Sequence, residues 1–285
     1  MKEINYIDET IERNENPALR IGSVGRSALS TVYLMDCIEG MRQFPDKIFI
    51  KMSEGKILNE IIHGDSVEVM RTIPEKIYDC CITDPPYKLS QKYTTSTDSD
   101  NIMAVASIYN VAIELKRVVK DGGLCIVFYD NRILPMALDA YKKAGWKYIR
   151  CLTLYRRAGS AFNMCGWMST SDIILIFQNG EGKLNFYGKC SHDVYIKDKM
   201  EKVSYGHPAQ KPEWIIEDIL QRIAKPNMAV IDPYSGSGTT CAVAKKLGIN
   251  YTGIEQELEF VEISKKRMGD FNKNFEPQTL FGNEM

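Results

Sequence analysis

The sequence predicts an α/β fold with a mostly parallel sheet and helices on both faces. From Ile57 onward, short apolar runs with strand character alternate with segments whose apolar residues recur at helical spacing. The strand at 228–231 is followed by a turn with two glycines and then by a helix, the local order of a ligand-binding unit in open α/β sheets. The 285 residues, 44% of them apolar, suffice for one large domain with insertions.

Strands and helices are predicted from residue 57 to residue 268. Strands are expected at 57–63, 77–83, 124–129, 148–155, 172–177, 228–231 and 250–254. Helices are expected around 67–70 and at 102–119, 133–144, 213–224, 239–247 and 257–268, with Pro212 as the first residue of one of them. The strands at 148–155 and 172–177 are expected to be antiparallel, because no obvious crossover helix joins them. Ligand sites are expected at the carboxyl ends of the strands.

The first 56 residues form an N-terminal extension of uncertain role. Residues 32–49 match residues 61–78 at a constant offset of 29, and identical residues include Asp36, Met41 and Pro45 of the first copy. This register indicates a partial duplication or a packed extension without its own site. Coincidence between two similar strand–helix units is the alternative.

Composition narrows the class of protein. No apolar run approaches a membrane span, and the polar N-terminus is unlike a signal peptide, so a soluble, cytoplasmic protein is expected. The eight cysteines form no CxxC pair and several lie in apolar strands, which predicts buried free thiols. The three histidines show no HExxH pattern, so no metal mechanism is expected.

The net charge of −1 conceals a local basic segment. Between residues 140 and 212, twelve Lys and Arg residues stand against five Asp and Glu residues. Such a segment could form one basic face for phosphate binding, although a solvated surface without a partner has the same composition. Contacts with the phosphates of a nucleic acid are expected from Lys88, Arg156, Arg157, Lys183, Lys189, Lys197 and Lys199.

The stretch from Ile77 to Tyr87 joins an apolar strand to a rigid polar end, Asp84-Pro85-Pro86-Tyr87. Prolines fix φ and lack an N–H, so this end is stiff and presents acceptors, the Asp84 carboxylate and the Pro85 carbonyl. A flat group with two N–H donors fits there, such as the exocyclic amino group of a nucleobase stacked on Tyr87. The simpler interpretation is an ordinary strand with a proline turn. The polar segment 88–100 that follows is expected to be a loop that closes over substrate.

The second informative segment is the turn Asp232-Pro233-Tyr234-Ser235-Gly236-Ser237-Gly238. Glu255, about 20 residues further on at a strand end, can take both hydroxyls of a ribose. Cys241 replaces the third glycine of a dinucleotide fingerprint, and Asp232 would repel a pyrophosphate. A cofactor with a ribose and no phosphate fits better, and S-adenosylmethionine meets that description. NAD binding and a turn without a ligand are the alternatives.

Together, Asp84 to Tyr87, His207 to Pro212, Asp232 to Thr240 and Glu255 resemble the motifs of amino-group DNA methyltransferases, particularly adenine-N6 enzymes of the circularly permuted β group. In that group the catalytic motif precedes the cofactor motif, with target recognition between them, as here. The resemblance covers roughly residues 57–270. It implies methyl transfer from S-adenosylmethionine to N6 of a flipped-out adenine in double-stranded DNA, on a seven-stranded, mostly parallel, Rossmann-like sheet that is circularly permuted.

The resemblance also implies roles for individual residues. Asp84, Pro85, Pro86 and Tyr87 would hold the target base. Cofactor binding would fall to Asp65, Lys211, Asp232, Tyr234, Ser235, Gly236, Ser237, Gly238, Thr239 and Glu255. Within that set, Asp65 would approach the cofactor adenine and Lys211 would lie beside its methionine part. The methyltransferase domain would span residues 57–275, followed by a tail at 276–285.

Two departures from the family pattern bear on recognition. Tyr234 replaces the usual phenylalanine of the glycine turn, and the basic insertion at 179–206 is short for a target-recognition region. Sequence readout is therefore expected to recruit residues 155–167, the N-terminal extension or a second subunit, since the family often dimerises. No cleavage domain is evident, so a restriction endonuclease would be a separate chain.

Several related activities stay open on the sequence alone. Cytosine-N4 methylation uses the same amino geometry, although serine more often opens the tetrapeptide in those enzymes. Methylation of RNA or of a protein glutamine uses related tetrapeptides, usually with the glycine turn first in the chain. A non-catalytic DNA-binding or cofactor-binding module is the alternative from a different class.

Overall fold

A computed structural model describes residues 57–85, 98–162, 168–197 and 210–274 of the protein. Within those ranges the chain forms one eight-stranded sheet and six α-helices. The strands are β1 (Glu60–His63), β2 (Tyr78–Thr83), β3 (Val119–Tyr129), β4 (Trp146–Phe162), β5 (Met168–Asn179), β6 (Val194–Lys197), β7 (Ala229–Asp232) and β8 (Asn250–Glu255). The helices are α1 (Ser66–Thr72), α2 (Asp98–Val118), α3 (Leu134–Lys143), α4 (Glu213–Ile223), α5 (Thr239–Lys246) and α6 (Leu258–Asn274).

The sheet order is β1-β8-β7-β2-β3-β5-β4-β6. The first five strands pair in parallel, β5 runs antiparallel to both of its neighbours, and β6 is parallel to β4. Helices α1, α2 and α3 contact one another in succession, as do α4, α5 and α6, so each group forms one layer beside the sheet. The predicted mostly parallel α/β architecture is confirmed.

The number of strands differs from the sequence prediction. The sheet has eight strands instead of seven, and the additional strand is β6, inside the segment 179–206 that was predicted as a basic target-recognition insertion. Tyr195 packs against the core, whereas Val194 and Ile196 are exposed. A strand of four residues gives too little periodicity for a strand prediction.

Several boundaries also shift. The first strand begins at Glu60 instead of Ile57, α2 begins at Asp98 inside the predicted loop 88–100, and β3 begins at Val119 instead of Leu124. A shift in the register between β2 and β3 admits the extra residues at the start of β3. Pro212 is the N-cap of α4, with φ −62° and ψ 135°, so the first helical residue is Glu213. The first copy of the 29-residue repeat lies outside the described residues.

The core is centred on β2, whose six residues are all buried. Cys80, Cys81, Cys125 and Cys241 are buried free thiols, as predicted, whereas Cys190 is exposed. Burial raises the pKa of the Cys241 thiol well above its usual value, which keeps it protonated. No helix among the described residues has both the length and the apolar character needed to cross a bilayer.

Asp79 ties three strands together at their amino ends. Its carboxylate accepts a hydrogen bond of 2.8 Å from the Ala229 N–H of β7 and binds the Lys120 ammonium of β3 at 2.8 Å. The Asp79 side chain is buried, so its acceptor is not easily replaced by water. This side chain therefore fixes how β2 sits between its two neighbours.

Replacing Asp79 should cost more stability than removing its ion-pair partner. Asp79→Ala is expected to lower the free energy of unfolding by about 2–3 kcal/mol, because the Ala229 N–H is left buried without its acceptor. The control Lys120→Met should cost under about 1 kcal/mol, because the Lys120 side chain is 45% exposed. Urea denaturation measures the free energy of unfolding of both variants. Equal losses would show that Asp79 stabilises the protein through the ion pair and not through the backbone hydrogen bond.

Candidate active site

The candidate site lies where the direction of the chain through the sheet reverses. Neighbouring strands β2 and β7 are parallel, with Cys81 opposite Ile231. From β7 the chain crosses through α5 to β8 on one side, and from β2 it crosses through α2 to β3 on the other. Connections that diverge in this way leave a crevice at the carboxyl ends of the two strands. Asp84 follows β2 there, and the glycine turn follows β7.

A cleft of about 470 Å³ occupies this position. A volume in that range is typical of small-molecule sites. The residues lining the cleft are Ile82, Thr83, Asp84, Pro85, Phe128, Gln210, Lys211, Ile216, Asp232, Tyr234, Ser235, Gly236, Ser237, Thr239, Thr240, Glu255, Gln256, Glu257 and Phe260. The acidic strand end near residue 84 and the glycine turn near residue 237 therefore share one cavity, as the sequence predicted.

The glycine turn is held in a conformation that side chains would obstruct. Gly236 and Gly238 have φ values of 51° and 75°, in the left-handed region that glycine favours. A Cβ at Gly238 would also lie 2.9 Å from the Ser264 hydroxyl of α6. That hydroxyl donates a hydrogen bond of 2.7 Å to the Gly236 carbonyl. The backbone of the turn is therefore fixed from behind while its front faces the cleft.

Glu255 ends β8 with its carboxylate held in place. One oxygen accepts a hydrogen bond of 2.9 Å from the Gly236 N–H, and the other accepts one of 2.9 Å from the Glu257 N–H. Each carboxylate oxygen retains further acceptor capacity. Two oriented acceptors at a strand end suit the pair of hydroxyls on a ribose.

Asp232 is a buried carboxyl group at the base of the cleft. Burial raises the pKa of Asp232 from 3.8 to about 6, and the nearby Asp84 charge adds to this effect. Hydrogen bonds from the Thr240 hydroxyl and the Tyr234 N–H oppose the shift. Because a negative charge at this position is poorly solvated, the site favours a cationic ligand over an anionic one.

Asp84 is joined to Lys211 across the cleft. The Lys211 ammonium, from the segment before α4, donates a hydrogen bond to an Asp84 carboxylate oxygen. The same ammonium lies 5.5 Å from the centre of the Phe128 ring. The two side chains are only 14% and 22% exposed, so this is a largely desolvated ion pair. No sequence pattern indicates this contact between residues separated by 127 positions.

The hydroxyl that distinguishes Tyr234 from phenylalanine lies beside two helices. Burial raises the pKa of this hydroxyl, and Ser107 of α2 and Ser66 of α1 oppose the rise. Ser66 in turn donates a hydrogen bond to the Pro233 carbonyl. The Ser66 hydrogen bond therefore ties the glycine turn to α1, and Tyr234 lies beside both α1 and α2.

Arg267 of α6 supports the turn and was missed by sequence reasoning. Its guanidinium is 1% exposed and donates hydrogen bonds of 3.1 Å to the Ser237 carbonyl and the Thr239 hydroxyl. It also forms an ion pair with Glu213 at the start of α4. Arg267 thus links the turn to the segment that carries Lys211. In sequence, an arginine in a basic run resembles a solvated surface residue, so no pattern distinguished Arg267.

Most of the predicted cofactor-binding residues line the cleft, and the two exceptions are Gly238 and Asp65. Gly238 is the N-cap of α5, beside the residues that line the cleft. Asp65 is exposed and caps α1, accepting hydrogen bonds of 2.9 and 3.0 Å from the Val67 and Glu68 N–H groups. Its proximity to a cofactor adenine stays a prediction. Pro86, Tyr87, Lys88 and Lys199 lie outside the described residues, as does the motif from His207 to Ala209.

The predicted DNA-binding residues fall at two ends of the sheet. The backbone of Lys183 lies against Gly122 before the buried part of β3, and Lys189 accepts a hydrogen bond from Arg222 at the end of α4. Both positions are at the amino ends of the parallel strands, roughly 20 Å along β3 from the cleft. In contrast, Arg156 and Arg157 lie on β4, with Arg156 paired in register with Lys197, beyond the cleft end of β3. The structure does not bring these two groups together.

The fold and the cleft define an α/β enzyme that binds a nucleoside-containing cofactor at a switch point of its sheet. The chain belongs to the DNA methylase family, whose model matches residues 78–266. It is 30% identical over 238 residues to the type II methyltransferase M2.LlaDCHI of Lactococcus lactis subsp. cremoris, covering 73% of this chain and 88% of that protein. It is 26% identical to the type II methyltransferase M.HinfI of Haemophilus influenzae, covering 79% of this chain and 72% of that protein.

Solved structures share the fold. The complex of M1.HpyAVI with SAM has a TM-score of 0.59 at 23% identity and covers 73% of this chain and 98% of that one. The cytosine-N4-specific PvuII DNA methyltransferase has a TM-score of 0.64 at 17% identity and covers 76% and 88%. At these identities the likeness concerns the architecture alone.

The raised pKa of Asp232 predicts that its charge destabilises the protein at neutral pH. Below pH 3.8 the carboxyl is neutral in both the folded and the unfolded state, so it does not lower the stability. Above about pH 6 it is ionised in both states, and the burial of its charge lowers the stability by the full amount. Asp232→Asn should therefore raise the free energy of unfolding at pH 8 by about 2–3 kcal/mol. The gain should shrink as the pH falls from 6 toward 4, as measured by urea denaturation across that range.

Asp218→Asn is a control with the opposite sign. Burial acts to raise the pKa of Asp218, but hydrogen bonds from Arg222 and Tyr195 lower it below its usual value of 3.8. Asp218 therefore contributes stability above that pH, and its replacement should destabilise the protein at pH 8. A stability gain for Asp232→Asn that does not vary with pH would contradict the assignment of its cost to charge burial.

Proposed function

We propose that the protein is an S-adenosylmethionine-dependent DNA methyltransferase that modifies the N6 amino group of a flipped-out adenine. The observation that carries this proposal is the common cleft of Asp84 and the glycine turn at the junction of β2 and β7. One motif supplies acceptors for an amino group, and the other supplies a surface for a nucleoside cofactor. Membership of the DNA methylase family supports the reaction class.

The residues of the cleft fit S-adenosylmethionine. Glu255 offers two oriented acceptors for the ribose hydroxyls, and the glycine turn permits close approach of the ligand to the backbone. Asp232, Glu255 and Glu257 make the lining acidic, which disfavours a pyrophosphate and suits a cation. When bound, S-adenosylmethionine supplies an electrophilic methyl group on a sulfonium centre. Lys211 and the N-terminus of α5, whose N-cap Gly238 has no side chain, suit the carboxylate of the methionine part.

Asp84 and Pro85 position the target amino group. The N6 nitrogen of adenine is a weak nucleophile because its lone pair is delocalised into the ring. An Asp84 oxygen and the Pro85 carbonyl can accept its two N–H bonds and so favour the tetrahedral nitrogen that develops during attack. Positioning contributes much of the remaining acceleration. Asp84 or water accepts the excess proton after transfer, and Tyr87 is proposed to stack on the flipped base.

We propose adenine instead of cytosine as the target base, because the tetrapeptide from Asp84 to Tyr87 begins with an aspartate. The relatives are named as type II methyltransferases, and we infer a place in a restriction–modification system with the endonuclease on a separate chain. A DNA substrate also implies a cytoplasmic location. A homodimer stays a proposal from the family resemblance.

We infer a circularly permuted methyltransferase domain over residues 57–275, followed by the tail at 276–285. The Asp84 motif precedes the glycine turn in the chain. The last strand, β8, pairs in parallel with the first described strand, β1, with Ile61 opposite Gly253. This pairing closes a continuous sheet despite the motif order.

Loss of Asp84 should abolish methylation without loss of cofactor affinity. Asp84→Ala removes the carboxylate acceptor proposed for the amino group, so methyl transfer should fall by at least about 100-fold. The measurement is tritiated methyl transfer to unmethylated DNA, followed by nucleoside analysis. N6-methyladenine is the expected product, and N4-methylcytosine would favour the cytosine alternative. Equal loss of methylation and of S-adenosylhomocysteine binding would contradict the proposed roles, and no transfer by the wild type would indicate a binding module.

The hairpin of β4 and β5 is the proposed DNA-contacting arm. Tyr129 at the end of β3 pairs with Ile173, whereas β4 and β5 continue to the pair Phe162 and Met168. The hairpin therefore extends past the sheet on the side of the cleft. The basic positions Arg156 and Arg157 lie on this extension.

Two double variants that remove equal charge test this placement. Arg156→Gln with Arg157→Gln should weaken DNA binding and reduce the slope of log affinity against log salt by up to about 2. Lys183→Gln with Lys189→Gln should change the slope less, because these residues lie at the other end of the sheet. Fluorescence anisotropy with unmethylated duplex DNA at several salt concentrations provides the comparison. A larger effect of the lysine pair would place the duplex across the amino end instead.

A further inference from the structure

The Lys211–Asp84 ion pair places a cation on the group proposed to bind the target base. Lys211 donates to an Asp84 carboxylate oxygen, and both side chains are largely withdrawn from solvent. An ammonium in this position competes with an amino group for the same acceptor. It also opposes the positive charge that develops on the attacked nitrogen. In this arrangement Asp84 is engaged by Lys211 and not prepared for the base.

Lys211 is also the natural partner of a second carboxylate in the same cleft. Among the described residues that line the cleft, Lys211 is the only Lys or Arg, whereas Asp84, Asp232, Glu255 and Glu257 are acidic. A ligand that carries a carboxylate into this acidic surrounding has one side-chain cation available there. The amino-acid part of S-adenosylmethionine carries such a carboxylate.

Movement of Lys211 between two carboxylates requires no change in the fold. Its backbone precedes Pro212, which fixes the start of α4, and Arg267 holds the neighbouring Glu213. The four-carbon side chain can therefore reorient from a fixed base. The Phe128 ring near the Lys211 ammonium can stabilise this positive charge by a cation–π interaction while the side chain reorients.

We propose that Lys211 exchanges carboxylates: it holds Asp84 in the absence of cofactor and transfers to the cofactor's carboxylate on binding, which releases Asp84 for the target amino group. The exchange rests on the proposed function. It makes Lys211 a positioning residue that couples cofactor binding to readiness for the base. The expected order of binding is cofactor first and base second.

Two ligands that differ in the amino-acid part test the exchange. S-adenosylhomocysteine carries this part with its carboxylate, whereas 5′-methylthioadenosine keeps the adenosine and lacks both the carboxylate and the ammonium group. Isothermal titration measures both ligands on the wild type, Asp84→Asn, Lys211→Met and the double variant. Lys211→Met should weaken S-adenosylhomocysteine by about tenfold or more and leave 5′-methylthioadenosine nearly unchanged. Unchanged 5′-methylthioadenosine affinity also shows that the cleft is intact.

Asp84→Asn is the decisive variant, because it removes the competitor for Lys211. It should tighten S-adenosylhomocysteine by about three- to tenfold, without effect on 5′-methylthioadenosine. In the double variant this gain should vanish, since no ammonium remains to be released. A gain that persists without Lys211, or no gain from Asp84→Asn, would overturn the exchange while leaving the proposed function intact. Failure of the wild type to bind either ligand would overturn both.

Discussion

The site depends on the parallel pairing of β2 with β7. These two strands are adjacent in the sheet and far apart in the chain, and the pairs Cys80–Val230 and Cys81–Ile231 set their register. This register brings Asp84 and the glycine turn to the same edge. Asp79 reinforces the pairing at the opposite end, where its carboxylate binds the first N–H of β7. A shift of the register would separate the two halves of the site, because each lies only a few residues beyond its strand.

The electrostatics of the cleft follow from a concentration of acidic groups around one lysine. Asp84, Asp232, Glu255 and Glu257 line the cavity, and only Lys211 among its described residues opposes them. Glu255 accepts hydrogen bonds from two backbone N–H groups, whereas Asp232 is deeply buried. The two carboxylates therefore differ in how much their negative charge lowers the stability of the fold. A hydrogen-bonded carboxylate can bind hydroxyls without losing stability. A buried one is stabilised by a cationic ligand, which links folding to the charge of the cofactor.

Sequence reasoning predicted the elements and the motifs better than the contacts between them. The strand end at Thr83 was predicted correctly, and the predicted end at Ile231 lies one residue before the observed end at Asp232, because apolar runs stop there and turn residues follow. The ion pair of Asp84 with Lys211 and the support of the turn by Arg267 could not, since periodicity assigns a face to a residue and not a partner. The same limit applies to Lys183 and Lys189, whose basic charge is evident in the sequence but whose distance from the cleft depends on the path of the chain. The edge strand β6 was missed because it has only four residues and the apolar residues Val194 and Ile196 are exposed.

The order of the motifs in the chain matters less than the continuity of the sheet. The glycine turn is late in the sequence, yet β8 pairs with β1 and α6 packs behind the turn, so the last elements are built into the same unit as the first. Ser264 and Arg267 hold the carbonyls of Gly236 and Ser237. Arg267 also reaches Glu213, two residues from Lys211, so the support for the cofactor turn and for the lysine is shared. A ligand that orders the turn therefore acts on the same buried network that positions Lys211, which is why the two halves of the cleft are expected to respond together.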